Sequence, residues 1–157
     1  MSITIGKKAP DFKLSDEAGK IHSLKDYLGK IVVLYFYPRD LTPGCTIEAE
    51  GYRDAMKELK KLGVVVFGVS ADSPKSHKKF RDKLKLNFPL LADEKKETIK
   101  KYGAWVEKSM YGKKYMGISR DTFIIDQKGI LVRHDVKVTP ETHPKEILTE
   151  VKKLLKK

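Results

Sequence analysis

Cysteine is almost absent from this sequence: Cys45 is the only one among 157 residues. A single thiol excludes an internal disulfide, and it excludes the disulfide-rich scaffolds of small secreted proteins. No apolar stretch approaches the roughly 18 residues at which a membrane-spanning helix becomes possible. The first residues also lack the apolar segment of a secretory signal peptide. We therefore expect a protein of the reducing cytoplasm that is not embedded in a membrane.

The sequence has fewer acidic than basic side chains. It contains 33 Lys and Arg but 21 Asp and Glu, which gives a net charge of +12. A basic surface is compatible with nucleic-acid binding, which is one alternative class of function. However, the lysines occur in short, scattered pairs such as Lys7-Lys8, Lys60-Lys61 and Lys113-Lys114, without an arginine-rich or aromatic-interleaved stripe. We interpret these pairs as solvated surface and expect no specific nucleic-acid partner.

The sequence does contain a regular succession of short apolar runs and amphipathic stretches. Its length fits one domain over residues 1–157, large enough to bury a full core. Residues 31–37 and 64–69 predict buried strands, each followed by a helix. The first of these helices stops at Gly63, and the second opens at Ser73-Pro74.

The remaining pattern extends this arrangement at both ends. Flanking segments predict a hairpin from residues 11–14 and 20–24, a short helix from Asp93 to Tyr102, a hairpin from 122–126 and 130–136, and a last helix over about 144–156. On that last helix we expect an apolar stripe to be buried: Ile147, Leu148, Val151, Leu154 and Leu155. The order predicts an α/β fold with a central mixed β-sheet flanked by helices and an N-terminal β-hairpin.

The lone cysteine lies at a junction between a strand and a helix. Thr42 is a suitable N-cap, and Pro43 suits the first helical position, where its missing N–H would have no partner. Cys45 then falls in the first turn, near unpaired backbone N–H groups and the positive end of the helix dipole. Such a setting favours the thiolate, which is the nucleophilic form of cysteine. The alternative is a small buried hydrophobic residue without a chemical role, and position alone leaves both open.

The residues around Cys45 resemble the active-site motif of the peroxiredoxins. Pro38, Thr42 and Cys45 match its Pro-x-x-x-Thr-x-x-Cys spacing. The longer string from Tyr35 to Ala49 resembles the subgroup named for bacterioferritin comigratory protein, also called the Q type. The resemblance covers nearly the whole chain, in residues 9–12, 68–73, 88–93, 108–117 and 120–129.

The resemblance implies a thioredoxin-like fold and the reduction of hydrogen peroxide and organic hydroperoxides by Cys45, with no cofactor and no metal. In this family the threonine that matches Thr42 hydrogen-bonds the peroxide, assisted by backbone N–H groups that here belong to Gly44 and Cys45. Pro38 would shield the sulfur from solvent. Arg120, which lies just before an apolar run, corresponds to the active-site arginine; arginine suits this place because it keeps its charge and donates from a planar fork.

The sequence says less about Glu48 and the histidines. Glu48 matches a position that is commonly Glu in the subgroup, and we interpret it as a support for the first helical turn or for Arg39. An exposed helix carboxylate is the alternative. The histidines show no spacing typical of a metal site or of a Cys–His pair, and we expect all of them on the surface: His22, His77, His134 and His143.

The sequence departs from many members of the subgroup at position 50. A second cysteine there would close an internal disulfide, whereas this chain has Glu50. We therefore expect a 1-Cys enzyme, a monomer or weak homodimer, whose oxidised Cys45 needs a thioredoxin-like protein or a small thiol. A binding or holdase protein that kept the fold but lost turnover is the other alternative. The joint presence of Pro38, Thr42, Cys45 and Arg120 argues against it.

Overall fold

The computed structural model describes residues 3–156. Their strands are β1 (Lys13–Asp16), β2 (Ile21–Ser23), β3 (Ile31–Phe36), β4 (Val64–Ser70), β5 (Leu90–Ala92), β6 (Trp105–Met110), β7 (Lys113–Ile118), β8 (Thr122–Ile125) and β9 (Leu131–Asp135). Their α-helices are α1 (Pro43–Lys61), α2 (Pro74–Leu84), α3 (Glu97–Lys101) and α4 (His143–Leu155). A 3-10 turn follows β2 at Leu24–Tyr27.

Seven strands form one mixed sheet in the order β2-β1-β5-β4-β3-β8-β9. The pairs β3–β4 and β4–β5 are parallel, whereas β8 lies antiparallel to β3. This confirms the expected mixed sheet, and the paired β1 and β2 confirm the N-terminal hairpin. Every one of the central β3 residues is buried, as expected for a strand covered on both faces.

Alternate residues of β3 enter two different cores, because successive side chains of a strand point to opposite faces. Val33 and Tyr35 pack in a core shared with α1, α2 and α4. Leu34 and Phe36 pack in a second core shared with α3 and the N-terminal segment. The sheet is therefore covered on both sides, and the sulfur of Cys45 belongs to the first core.

The sequence pattern missed three strands and overstated the burial of the last helix. β5 is only three residues long and directly follows Pro89, and β6 and β7 form a separate two-stranded sheet that is largely exposed. Without a buried face, that hairpin has no apolar alternation to detect. On α4, Leu155 is 40% exposed rather than buried, and Leu148 and Leu154 are only half-buried. No helix of the described residues is long and apolar enough to cross a membrane.

Candidate active site

The lone cysteine lies where the central strand passes into α1. Thr42 has extended backbone angles and Pro43 begins the helix, as predicted. The N–H of Thr46 donates to the carbonyl of Thr42 at 2.9 Å, so the earlier N–H groups of Gly44 and Cys45 have no intrahelical acceptor. The side chain of Thr42 does not cap the helix. Its hydroxyl instead donates to the carbonyl of Arg39 at 2.9 Å, which corrects the expected side-chain cap.

Arg120, which lies just before β8, reaches the cysteine beyond the end of the neighbouring strand β3. Its Nη2 lies 3.5 Å from Sγ of Cys45, although 75 residues separate the two in sequence. Cys45 is only 1% exposed. A Cβ added at Gly44 would lie 3.1 Å from the same Nη2 atom. Glycine at position 44 therefore leaves room for the guanidinium to approach the sulfur.

The other arm of the guanidinium binds Glu48. Nη1 of Arg120 donates to Oε1 of Glu48 at 2.9 Å, and this carboxylate is fully buried. Burial would lower the pKa of Arg120, but the neighbouring Cys45 and Glu48 raise it, and the net shift is upward. We expected Glu48 to support the first helical turn or Arg39. The structure instead pairs Glu48 with Arg120, and Arg39 is exposed.

The backbone that carries Arg120 is held by Asp121. The Asp121 carboxylate accepts from Oγ of Ser119 at 2.5 Å, from Nε2 of His134 at 2.9 Å and from the N–H of Lys137 at 3.2 Å. Burial would raise the pKa of Asp121, but these donors, with the His134 contact the largest of them, lower it overall. The carbonyl of Asp121 in turn accepts from the N–H of Phe36 on β3 at 2.8 Å. This network places Arg120 beside the end of the central strand.

Several polar side-chain atoms buried around Glu48 have no hydrogen-bond partner within the described residues. Oε2 of Glu48 is buried without a hydrogen-bond partner, and so are the hydroxyls of Tyr35, Tyr52 and Thr122. Burial raises the pKa of Glu48 to about 7, and the attraction of Arg120 offsets only part of this shift. The carboxyl group is therefore half protonated near neutral pH.

We expect Glu48 to make the protein less stable as the pH rises. The unfolded chain releases this proton near pH 4.5 and the folded chain near pH 7, so folding becomes less favourable across that window, by up to about 3 kcal/mol. Glu48→Gln removes the titration. Urea unfolding at about pH 4.5 and about pH 8 should therefore show a smaller loss of stability in this variant than in the parent.

Glu50→Gln is the matched control, because Glu50 lies on the same helix with its side chain 41% exposed. It should leave the pH dependence of stability unchanged. An identical pH dependence in Glu48→Gln and the parent protein would contradict the raised pKa of Glu48.

A groove of about 490 Å³ opens beside Arg120. It is lined by residues that mix apolar and cationic side chains: Val106, Glu107, Lys108, Ser109, Tyr115, Ser119, Arg120, Lys137 and Val138. Burial and the nearby charge of Arg120 both lower the pKa of Lys108. The β6–β7 hairpin thus forms one wall of the approach to the arginine, a contribution that the sequence pattern did not indicate.

The expectation of surface histidines is wrong. His22, His77 and His143 are buried, and His134 is half-buried. Spacing alone could have indicated this for His77, which lies three residues before the buried Phe80 on the core-facing stripe of α2. The predicted exposure of the lysine pairs is confirmed.

One group among the described residues has the composition of a cation site. The potential ligand atoms of Asp40, Asp72 and His77 lie within 4.8 Å of one another. These side chains are already held by hydrogen bonds within the protein.

Pro38 is half-buried at the end of β3, and its expected shielding of the sulfur stays a prediction.

Comparison with known proteins agrees with this geometry. The profile of the AhpC/TSA family matches residues 5–134. The chain is 48% identical over 148 residues to a putative peroxiredoxin bcp of Coxiella burnetii, covering 94% of this chain and 98% of the relative. It is 44% identical over 157 residues to peroxiredoxin Bcp of Bacillus subtilis, covering both chains completely.

A solved structure shows the same fold. The bacterioferritin comigratory protein of Xanthomonas campestris superimposes with a TM-score of 0.89 at 35% sequence identity, covering 95% of this chain and 98% of that one. That protein is described as having alkyl peroxide reduction activity. The thioredoxin-like fold expected from the resemblance is thereby confirmed.

Proposed function

Because this chain belongs to the AhpC/TSA family, as a peroxiredoxin of the bacterioferritin comigratory type, we propose that it reduces hydroperoxides through Cys45 alone. Peroxiredoxins are thiol-dependent peroxidases. The observation that carries the assignment to these residues is the contact between Cys45 Sγ and the fork of Arg120 at 3.5 Å. A fixed cation beside a buried sulfur stabilises the thiolate and the charge that develops during the reaction.

In the proposed reaction the Cys45 thiolate attacks one oxygen of the hydroperoxide. An S–O bond forms and the O–O bond breaks, so that sulfur is oxidised to sulfenic acid. The leaving oxygen takes the electron pair as alkoxide or hydroxide and then a proton from the surrounding water. Arg120, the hydroxyl of Thr42, and the N–H groups of Gly44 and Cys45 would donate to the peroxide oxygens as charge moves onto the leaving atom. Release of the Thr42 hydroxyl from the Arg39 carbonyl would be required for this donation.

We further propose that the substrates are hydrogen peroxide and organic hydroperoxides. The partly apolar groove beside Arg120 has room for an organic group attached to the peroxide. Activity towards alkyl peroxides in the Xanthomonas relative supports the same substrate class.

An outside thiol would complete the cycle. Position 50 carries Glu50, whose carboxylate lies 3.9 Å from Arg53 on the same helix, and Cys45 is the only cysteine of the sequence. The outside thiolate would attack the sulfenic sulfur and displace hydroxide, which takes a proton from the solvent to become water, giving a mixed disulfide. A second thiol would then displace Cys45 as thiolate and leave as a disulfide. A reducing compartment such as the cytoplasm supplies thiols of this kind.

The direct test uses one equivalent of hydrogen peroxide on the reduced protein. We expect a mass increase of one oxygen on Cys45 and a signal with a sulfenic-acid reagent. Continued peroxide consumption should require added thiol, and excess peroxide without thiol should yield sulfinic acid and progressive loss of activity. A covalent Cys45–Cys45 dimer as the main product would contradict the proposed role of an outside thiol. No oxidation of Cys45 at all would contradict the proposed peroxidase mechanism.

A further inference from the structure

The loop between β3 and α1 is held by a buried carboxylate that the reaction itself does not use. Asp40 is 6% exposed. Its Oδ1 accepts from the hydroxyl of Tyr37 at 2.6 Å, and its Oδ2 accepts from Oγ of Ser76 at 2.8 Å and faces Nδ1 of His77 at 2.7 Å. Its own N–H donates to Asp72 at 2.8 Å. Asp40 therefore ties the loop to α2 and to the segment after β4.

His77 closes this network from the other side. Its Nε2 lies 2.9 Å from the carbonyl of Leu91, which can only accept. Nε2 must therefore carry a proton, and a second proton must lie between Nδ1 and the carboxylate of Asp40. The ring is fully buried. A hydrogen bond buried away from water is costly to break, because no solvent replaces the lost partner.

The loop needs such an anchor because its own backbone is unfavourable. Residues 37–42 form no strand or helix, and Leu41 has a positive φ of 65°, a conformation that is strained for a branched side chain. The same short loop carries Pro38 and Thr42, and it leads directly into the turn that holds Cys45. Without the contacts of Asp40, the strain at Leu41 favours opening of this loop.

Opening of the loop affects the two halves of the cycle in opposite ways. Peroxide reduction needs Thr42 and the first turn of α1 in fixed positions around the sulfur. Reduction by an outside thiol needs access to a sulfur that is only 1% exposed, so the closed loop must open for that step.

We propose that the Asp40–His77 pair is the latch that holds this loop closed, with His77 a positioning residue that favours the peroxide step over the thiol step. The proposal rests on the peroxidase function given above. It assigns a role to a buried histidine that touches neither the sulfur nor Arg120.

Two substitutions of His77 separate its two hydrogen bonds. The amide nitrogen of Asn matches the position of Nδ1, so His77→Asn keeps a donor for Asp40. The amide nitrogen of Gln matches the position of Nε2, so His77→Gln keeps the donor for Leu91 and removes the histidine donor from Asp40. Both remove the ring, and they differ from each other by one methylene group.

His22→Asn is a third variant that controls for loss of a buried His–Asp contact, because the amide of Asn matches the position of Nδ1 and leaves Nε2 unreplaced. Nε2 of His22 lies 2.7 Å from Asp16 in the edge strand pair β1–β2. This is a second buried His–Asp contact, on a part of the sheet that does not carry the loop.

The experiment measures two rates for each variant at the same pH: oxidation of Cys45 by one equivalent of hydrogen peroxide, and reduction of the resulting sulfenic acid by a small dithiol. For His77→Gln we expect the peroxide step to slow by about tenfold to a hundredfold and the dithiol step to become several-fold faster. His77→Asn should remain near the parent protein in both steps. His22→Asn should leave the ratio of the two rates unchanged.

Changes in the same direction in both steps, no change in either, or equal behaviour of His77→Gln and His77→Asn would overturn the latch. If His77→Gln does not fold, Ser76→Ala provides a second test, because it removes one donor to Asp40. It should slow the peroxide step and speed the dithiol step, both by less than His77→Gln. Unaltered rates in Ser76→Ala would also overturn the latch. Absence of sulfenic acid in the parent protein is a separate result, which would contradict the proposed function instead.

Discussion

Replacing Cys45 by serine should reduce peroxide consumption to the uncatalysed background while leaving the protein folded. Serine has nearly the same size, and its hydroxyl can still accept from Arg120, which lies 3.5 Å from the sulfur. A hydroxyl is nevertheless far less nucleophilic than a thiolate at neutral pH. Peroxide loss measured by an electrode, together with the thermal unfolding midpoint, tests this expectation.

The parent protein provides the corresponding positive result. Because Cys45 is the only thiol, alkylation can be followed without interference from other sites. We expect alkylation of Cys45 to abolish peroxide reduction, because it consumes the proposed nucleophile. Peroxide reduction that persists in Cys45→Ser would show that the chemistry lies elsewhere.

The second large effect concerns the arginine. Arg120→Lys should slow the peroxide step by about a hundredfold, the usual cost of removing a donor from a charge-stabilising site. The guanidinium binds Glu48 through Nη1 and approaches Cys45 through Nη2 at the same time. A single ammonium group has no planar fork and cannot hold both contacts in this geometry. The second-order rate constant with hydrogen peroxide measures the effect.

Arg133→Lys is the control for this substitution. The guanidinium of Arg133 also binds two carboxylates, Asp135 on β9 at 2.9 Å and Glu150 on α4 at 3.1 Å. The side chain of Arg133 is more exposed than that of Arg120. The control should keep the full peroxide rate. Equal rates in Arg120→Lys and Arg133→Lys would contradict a catalytic role for Arg120.

Gly44→Ala should disturb the contact between Arg120 and Cys45 less strongly than Arg120→Lys does. The new methyl group would lie 3.1 Å from Nη2 of Arg120, so the guanidinium must move by a few tenths of an ångström and the peroxide step should slow. Gly51→Ala on the same helix would instead meet the ring of Pro144 at 2.7 Å. That variant should lose stability through poorer packing of α1 against α4 and keep its rate per folded molecule.

Local patterns in the sequence determined the position of the cysteine. Thr42 and Pro43 define the start of α1 through backbone angles and a missing N–H, which are properties of the residues themselves. The apolar run of β3 likewise indicates a buried strand on its own. The family resemblance added the expected arginine and the missing second cysteine at Glu50.

Only the tertiary structure decided which charged groups surround the sulfur. The antiparallel register that pairs Tyr35 with Thr122 brings the start of β8 to the end of β3, and Arg120 thereby reaches Cys45 across 75 residues of sequence. The pairing of Glu48 with Arg120 and of His77 with Asp40 depends in the same way on packing between elements. No periodic pattern encodes these contacts, because periodicity reports which face of an element is buried and not which distant side chain will meet it there.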